Sequence, residues 1–345
     1  MVVNNPYISL VFVGRNDNYG GDFKQRLEAC VNDAFQQLNK HEIRAEILFV
    51  NYNPIEDGAK IEDFISWPVS TDLVSVKMIS VPSEYHNKII SKGSVKNVPV
   101  LEYVAKNVGI RRAKGDYLLL MNPDILVPSS IYQYLAERKL NESSFYRVDR
   151  VDYRADMMAI SAGSKEMKSS AFKVCLKGFQ YEIQGYSNWK LWVLRRFNEF
   201  RIFFHLRIIV ALRYPFLLIG WKPNPHNAEF RFHCNVSGDF MLMHSDNWLK
   251  LKSYPENAYM SLHTDALMVV MAATSGLKEV IFSSPIFHKD HERRYDASQE
   301  QVSEYREVYL AFQNKAQTMI RNQNPIVANP DDWGLKNVDL PELVA

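Results

Sequence analysis

The sequence contains few cysteines and no excess of charge of either sign. Cys30, Cys175 and Cys234 are the three cysteines among 345 residues, and they are widely spaced without a CxxC pair. That spacing argues against a disulfide framework and against a zinc knuckle. The 41 basic and 39 acidic residues give a formal charge of +2, so composition does not favour nucleic acid as a partner. We therefore expect any charged binding site to be local.

Long apolar runs and targeting signals are missing as well. In the aromatic and basic segment 186–221, the longest stretch without a charged residue is 214–221. A membrane-spanning helix needs roughly 18 to 20 apolar residues, so this stretch is too short. The opening residues lack the basic start and the apolar stretch of a secretory signal. We expect a cytoplasmic protein, with peripheral attachment to the cytoplasmic membrane face as an open alternative.

Hydrophobic residues, in contrast, make up 47% of the chain, which is enough for a large core in one domain or two. Apolar, β-rich runs at 7–14, 45–54 and 116–122 predict buried strands, and helical patterns lie between and after them. Strands that alternate with helices predict an α/β fold with a largely parallel sheet. We also predict one strand over 144–153 and a helix over 298–322, followed by an irregular tail.

Polar clusters follow the three predicted strands, at 14–17, 51–53 and 122–124. In open α/β sheets the ligand crevice lies beyond the carboxyl ends of the strands. We therefore expect these clusters to meet at one edge of the sheet and to form a single binding site.

Three blocks occur in order along the chain: ISLVFVGRNDNYGGDFKQRLEACV, NVGIRRAKGDYLLLMNPDILVP and SGDFMLMHSDNWLKLKSYPE. Together they resemble the glycosyltransferase superfamily with the nucleotide-sugar-binding GT-A fold, most closely its inverting family 2 type. The resemblance implies a Rossmann-like, mostly parallel central sheet flanked by helices, with an aromatic and basic helical insert and a C-terminal helical extension. It also implies transfer of a sugar from a nucleotide-sugar donor to a hydroxyl of a glycan or lipid-linked acceptor.

The same resemblance divides the chain into segments. A glycosyltransferase domain would cover 1–295, with a nucleotide-sugar half over about 1–128 and an acceptor half over about 129–295. The insert would occupy about 186–221, and a helix and tail would occupy 296–345.

The family's metal motif ends in an aspartate, and Asp124 matches that position, while Asn122 replaces the usual first aspartate. Negative charge grows on the donor diphosphate as its bond to the sugar breaks, and Mn²⁺ or Mg²⁺ held by one carboxylate can neutralise it. His288 and His291 are the candidates to complete the metal site, as a late histidine does in metal-dependent relatives. The alternative is that Asp124 caps a turn and the histidines belong to a solvated loop.

In family 2 relatives the general base is an acidic residue that opens a late helix, and Asp265 matches it. A carboxylate there would take the proton of the acceptor hydroxyl, although Asp265 could equally act as an N-terminal helix residue favoured by the helix dipole. Asp239 and Glu256 are reserve catalytic candidates, and Asp239, Trp248 and His263 are the candidate acceptor contacts.

The candidate nucleotide-sugar contacts follow the strands or precede the third one. They are Gly14, Arg15, Asn16, Asp17, Asn53, Arg111, Arg112 and Asn122. Lys114, Arg293 and Arg294 are further cations that could reach phosphate. Each of these could instead be an ordinary surface residue.

The insert over 186–221 allows three interpretations. It could rest on an anionic membrane surface near a lipid-linked acceptor, pack on a partner or a second protomer, or form core helices with snorkelling arginines. Two other functions also remain open at this stage. One is a catalytically silent binding or scaffold subunit with the same fold, and the other is a different nucleotide-dependent transferase.

Overall fold

The computed structural model describes residues 5–91, 98–153, 170–209, 228–256, 263–291 and 299–345. Thirteen strands occur in this part of the chain. They are β1 (Ile8–Gly14), β2 (Ala45–Tyr52), β3 (Val74–Val81), β4 (Tyr117–Met121), β5 (Ile125–Leu126), β6 (Ser144–Arg147), β7 (Arg150–Tyr153), β8 (Ala171–Leu176), β9 (Phe179–Gln184), β10 (Phe240–His244), β11 (Lys278–Ile281), β12 (Ile286–Lys289) and β13 (Glu342–Val344).

Ten α-helices accompany them in the same part. They are α1 (Phe23–Lys40), α2 (Ile61–Phe64), α3 (Ser83–Ile90), α4 (Glu102–Arg112), α5 (Ser129–Ala136), α6 (Asn188–Phe203), α7 (Ala228–Arg231), α8 (Ser245–Lys250), α9 (Thr264–Thr274) and α10 (Gln299–Asn322). A π-helical turn, Phe204–Ile209, continues α6. None of the described helices is both long enough and apolar enough to cross a membrane.

The central sheet has eight strands in the order β11-β6-β10-β4-β1-β2-β3-β13. Its middle strands β4, β1, β2 and β3 are parallel, whereas β10 and β13 run antiparallel to their neighbours. Side chains alternate along β1, so that Leu10 and Phe12 pack on one face and Val11 and Val13 on the other. Both faces are covered by helices, which explains the nearly continuous apolar runs of these strands. The predicted mixed α/β architecture is confirmed.

A second sheet of five strands, β5-β12-β7-β8-β9, lies at the carboxyl end of β4. The single strand predicted over 144–153 is wrong, because the chain leaves the large sheet after β6 and enters the small sheet at β7. Val148 and Asp149, both buried, make that crossing. The crossing matters because it places β7 beside β12 near the predicted site.

The last segment of the chain is part of the main core. Helix α10, predicted at 298–322, packs against α9. Beyond it Trp333 is 2% exposed, with the Arg111 guanidinium 3.8 Å from its ring centroid. The tail ends in β13, which pairs with β3 at the edge of the large sheet. The tail predicted to be irregular therefore contains one short strand.

Candidate functional site

A cavity of about 360 Å³ lies at the carboxyl ends of β1 and β4, and we call it the strand-end cavity. Residues from two of the three predicted polar clusters line it, including Gly14, Arg15, Asn122 and Asp124, whereas the cluster at 51–53 does not reach the lining. Among the described residues, its charged lining consists of five carboxylates and three guanidinium groups. They are Asp17, Glu102, Asp124, Asp239 and Asp290, and Arg15, Arg26 and Arg150. The lining therefore combines both signs of charge, and a bound cation would favour an accompanying diphosphate.

Asp124, His288 and His291 form a group of potential metal ligands, which we call the Asp–His–His cluster. One ligand atom from each residue lies within 4.8 Å of the other two. Oδ2 of Asp124 is 3.2 Å from Nε2 of His291 and 3.6 Å from Nε2 of His288. The strand register explains the meeting, since His288 on β12 pairs with Ile125 on β5, directly after Asp124.

A carboxylate orients His288 from its other side. In the parallel pair of β12 and β7, His288 lies beside Asp152, and its Nδ1 is 3.3 Å from Asp152 Oδ1. Burial lowers the pKa of His288, but its close approach to the carboxylates of Asp124 and Asp152 outweighs burial and raises the pKa to about 9. Metal-binding histidines usually have such a second carboxylate partner, which fixes the ring and its tautomer.

The surroundings of Asp124 fit a cation ligand. Burial raises its pKa, but hydrogen bonds from His288 and His291 and the charge of Arg26 outweigh it, so the pKa is lowered and the group is ionised. Nη1 of Arg26 is 3.1 Å from Asp124 Oδ2. The other oxygen, Oδ1, is buried and has no hydrogen-bond partner among the residues that the structure describes. An unsatisfied buried carboxylate oxygen is costly, and a bound cation would remove that cost.

Asn122 does not point to the cluster but joins two other charged residues. Its Oδ1 accepts a hydrogen bond from Lys106 Nζ at 2.7 Å, and its Nδ2 donates to Asp239 Oδ1 at 2.8 Å. Asp239 is in turn paired with Arg150. An aspartate at position 122 would set two carboxylates against each other, so the amide suits this network better than the family's usual residue.

The β1 loop and the β2 end hold each other in place. Arg15 Nε donates to the carbonyl of Asn53 at 2.5 Å, and its guanidinium lies 3.7 Å from Asp17. The side chain of Asn53 donates to the carbonyl of Pro99. Asn16 is bound to the backbone of 55–59, so its side chain shapes a loop. Of these residues, Arg15 and Asp17 line the strand-end cavity.

Arg111 and Arg112 are not at the predicted site. Helix α4 begins at Glu102, which lines the cavity, and ends shortly before β4 begins, so its last residues lie at the amino end of β4, away from the cavity. Arg111 donates to the carbonyls of Asp331 and Trp333, and Arg112 to carbonyls of the tail at 334, 335 and 338. The two arginines therefore hold the C-terminal tail, and their assignment to the nucleotide is wrong.

A substitution of Arg112 can distinguish its structural role at the C-terminal tail from the predicted role at the nucleotide. We expect Arg112→Ala to lower the free energy of unfolding by about 2 kcal/mol, because three tail carbonyls lose a charged donor. Metal and nucleotide affinity should stay within about twofold, since the cavity is remote. Chemical denaturation and calorimetric titration measure the two quantities, with exposed Lys114→Ala as the matched control. A stable variant that loses nucleotide binding would contradict the structural role.

Two of the acceptor and catalytic candidates lie away from the strand-end cavity and have structural roles. Trp248 is fully buried in the core, where its Nε1 donates to the carbonyl of Leu118, so it cannot contact an acceptor. Glu256 accepts hydrogen bonds from Asn107 Nδ2 and Gly334 N, which ties it to the tail and not to the cavity. Both predictions fail because apolar packing and backbone bonding fix these side chains away from the strand ends.

His263 and Asp265 lie at the start of α9, next to the undescribed residues 257–262. His263 stacks on Phe312 of α10, with ring centroids 5.0 Å apart, and is therefore packed between helices. Asp265 Oδ2 accepts hydrogen bonds from Ser237 Oγ and Gly238 N, both at 2.8 Å. Asp265 thus lies directly behind Asp239, which lines the cavity, and does not line it itself. Arg293 and Arg294 fall outside the described residues.

The charged residues of the site that were not predicted include Arg26, Glu102, Lys106, Arg150 and Asp152. Each is a charged residue within an otherwise apolar stretch or on the apolar face of a helix. Lys106 is fully buried and donates to Glu102 Oε1, Asn122 Oδ1 and the carbonyl of Gly238. A charged residue at a core position of a predicted helix or strand could therefore have indicated these site residues, because buried charges need specific partners.

No protein-family model matches the chain, and a search of curated proteins returns no match. Among solved structures, the chain is similar to one described as GalNAc-T7 with UDP, GalNAc and Mn²⁺. The match has 11% sequence identity and a TM-score of 0.46, and it covers 97% of this chain and 54% of the other. The chain thus spans about half the length of that structure.

Proposed function

We propose that the protein is a metal-dependent glycosyltransferase with a GT-A fold, which transfers a sugar from a nucleotide-sugar donor to a hydroxyl of a glycan or lipid-linked acceptor, with inversion. The position of the Asp–His–His cluster supports this most directly, because it lies in one cavity with the end of β1. The order of the three motif blocks along the chain supports the same activity. The inverting course follows from the family 2 resemblance.

The donor would enter at the end of β1. A Cβ atom at Gly14 would lie 2.5 Å from the Phe23 ring, so only glycine leaves the backbone and the cavity open there. Arg15 and Arg150 both line the cavity and would offer positive charge to the diphosphate, with Arg150 held in place by Asp152 and Asp239. Asp17 stays close enough to Arg15 to hold its guanidinium in place.

Asp124, His288 and His291 would hold the cation. When bound, a divalent cation neutralises the negative charge that develops on the departing diphosphate. Two imidazoles and one carboxylate suit Mn²⁺ better than Mg²⁺, because Mg²⁺ prefers oxygen ligands. We therefore name Mn²⁺ as the preferred ion and Mg²⁺ as the weaker substitute.

Asp265 is our proposed general base, with Glu102 as the competing residue. Asp265 accepts hydrogen bonds from Ser237 and Gly238, next to Asp239, which lines the cavity, so an acceptor hydroxyl would have to reach it past this turn. Glu102 lines the cavity directly, and burial raises its pKa despite its bond to Lys106. A raised carboxylate pKa makes Glu102 a better base at neutral pH, so Glu102 needs the same test as Asp265.

The test is a panel of nucleotide sugars with Mn²⁺ or Mg²⁺, scored for donor binding, nucleotide release and the anomeric configuration of the product. We expect Asp265→Asn to keep donor affinity within about twofold and to slow transfer by at least roughly 100-fold. If Glu102→Gln alone slows transfer, Glu102 is the base. If no donor binds in a metal-dependent way, the proposal fails, and binding without turnover favours the silent subunit.

Metal affinity should rise with pH. His288 must lose its proton to bind a cation, and its pKa of about 9 means that it is protonated at neutral pH. Below about pH 9 each pH unit should therefore tighten Mn²⁺ binding by up to about tenfold, with release of about one proton. Titration calorimetry between pH 6 and 8, in buffers of different ionisation enthalpy, measures both quantities.

The control for this pH dependence is a histidine outside the cavity. His288→Gln should bind Mn²⁺ more weakly and with a flatter pH dependence, whereas His41→Gln should behave as the unmodified protein, since His41 is bonded to Ser129. Affinity that does not change between pH 6 and 8 would contradict His288 as a ligand.

A further inference from the structure

Helix α6 exposes aromatic side chains along one side, and we call this set the aromatic stripe. At 100° per residue its six members lie within an arc of about 140°. They are Trp189, Trp192, Phe197, Phe200, Phe203 and Phe204, each between 40% and 70% exposed. An exposed apolar surface of this kind is unusual for a protein surrounded by water and marks an interaction surface.

The opposite side of α6 is fixed to the protein. Leu191 is 2% exposed, and Asn198 is 4% exposed and bonded to both Tyr181 Oη and the carbonyl of Lys177. Arg195 pairs with Asp149, and the Arg201 guanidinium lies 3.9 Å from the centroid of the Phe179 ring. The helix is therefore fixed on the small sheet by Leu191, Asn198, Arg195 and Arg201, and the aromatic stripe lies on its other side. The interpretation of this part as core helices is wrong.

Positive charge accumulates around the stripe. The described residues 170–209 contain seven lysines and arginines and two glutamates, a formal charge of +5, whereas the whole chain has +2. Lys190, Arg196 and Arg207 are exposed there, and the exposed Arg196 is paired with Glu199. A like-charged second copy would oppose this surface, whereas an anionic surface would match it.

A second cavity, of about 580 Å³, lies beside the end of this helix and combines the same two properties. Lys177, Arg207 and Arg231 supply positive charge to its lining, and Ile202, Leu206 and Phe230 supply apolar surface. Apolar lining next to three cations matches the boundary between acyl chains and phosphate groups. Tryptophan is enriched at that boundary because its ring is apolar and its N–H is polar.

We infer that the aromatic stripe is a docking surface for an anionic phospholipid bilayer, with the rings in the interface and the lysines and arginines at the lipid phosphates. The inference does not depend on the proposed transferase activity, because none of these residues lines the strand-end cavity.

The experiment is sedimentation of the full chain with vesicles of phosphatidylcholine containing about 30 mol% phosphatidylglycerol, compared with phosphatidylcholine alone. We expect clear binding to the anionic vesicles and at least roughly tenfold less for Trp189→Gln/Trp192→Gln. Lys190→Gln/Arg207→Gln should lose roughly fivefold per charge on the same vesicles. Val69→Gln, at a 77% exposed apolar residue elsewhere, is the matched control and should bind normally.

A second measurement keeps the inference testable if the glutamine variants fold poorly. Trp189→Phe/Trp192→Phe should still bind anionic vesicles but should show less quenching of tryptophan fluorescence by brominated lipid. Equal, weak sedimentation with both vesicle types would overturn the inference. So would self-association without lipid that Trp189→Gln/Trp192→Gln abolishes, because the stripe would then bind a second copy.

Discussion

Replacing Asp124 with alanine is expected to weaken Mn²⁺ binding by at least about 100-fold and to abolish metal-dependent transfer. Asp124 supplies the only negative charge of the Asp–His–His cluster, and two neutral imidazoles cannot replace it. Burial raises its pKa, but contacts with His288, His291 and Arg26 outweigh burial and keep the carboxylate ionised before a metal binds. Calorimetric titration with Mn²⁺ and a nucleotide-release assay measure the two effects.

The alanine variant also removes a partner of Arg26, so a second variant is needed. Asp124→Asn keeps the shape of the side chain, and Arg26 retains Asp22, whose Oδ1 is 2.7 Å from its Nε. Asp290→Asn is the matched control, because Asp290 lines the same cavity outside the cluster and should change Mn²⁺ affinity by less than about threefold. Unchanged Mn²⁺ affinity in Asp124→Asn would rule out this metal site.

Replacing Lys106 with methionine is expected to lower the free energy of unfolding by about 3 to 5 kcal/mol. Lys106 is fully buried, and its ammonium donates to Glu102, Asn122 and Gly238 at 2.6 to 2.7 Å. Methionine fills a similar volume but leaves a carboxylate and two carbonyl oxygens without their donor. Denaturant unfolding monitored by circular dichroism measures the change.

A double variant separates the lost charge pair from lost packing. Glu102→Gln in the Lys106→Met background should restore part of the stability, because the unpaired carboxylate is then absent. Lys114→Met is the matched control, since Lys114 is exposed, and it should change stability by less than about 0.5 kcal/mol. Equal stability of Lys106→Met and the unmodified protein would show that the ammonium is dispensable.

Local sequence was sufficient to predict the strand that delivers Asp124. The run 116–122 is apolar and ends in a polar turn, and the structure places β4 there with Asp124 at the carboxyl-end cavity. His288 and His291 were predicted from their residue types and from the family pattern. Their meeting with Asp124 depends on the pairing of β12 with β5, which spans more than 160 residues. A local pattern contains no information on such a pairing.

The charged network behind the cavity was not predictable in the same way. Arg150 and Asp152 alternate in a run that looks like one strand, and only the crossing between sheets turns them toward Asp239 and His288. Arg112 shows the opposite case, because its proximity in sequence to β4 suggested the site. The direction of α4 places Arg112 away from the cavity, where its guanidinium donates to carbonyls of the C-terminal tail. Side-chain partners thus depend on tertiary geometry more than on sequence distance.

The pairing of β13 with β3 has a consequence for biosynthesis. The paired residues are more than 260 positions apart, so β3 remains an unprotected edge strand until the ribosome has released nearly the whole described chain. An open, apolar strand edge can pair with another nascent chain. We expect proteins truncated before residue 340 to aggregate during expression, even though their cavity residues are all present. Residues 342–344 therefore act as a cover for the β3 edge and protect the sheet from self-association once they have paired.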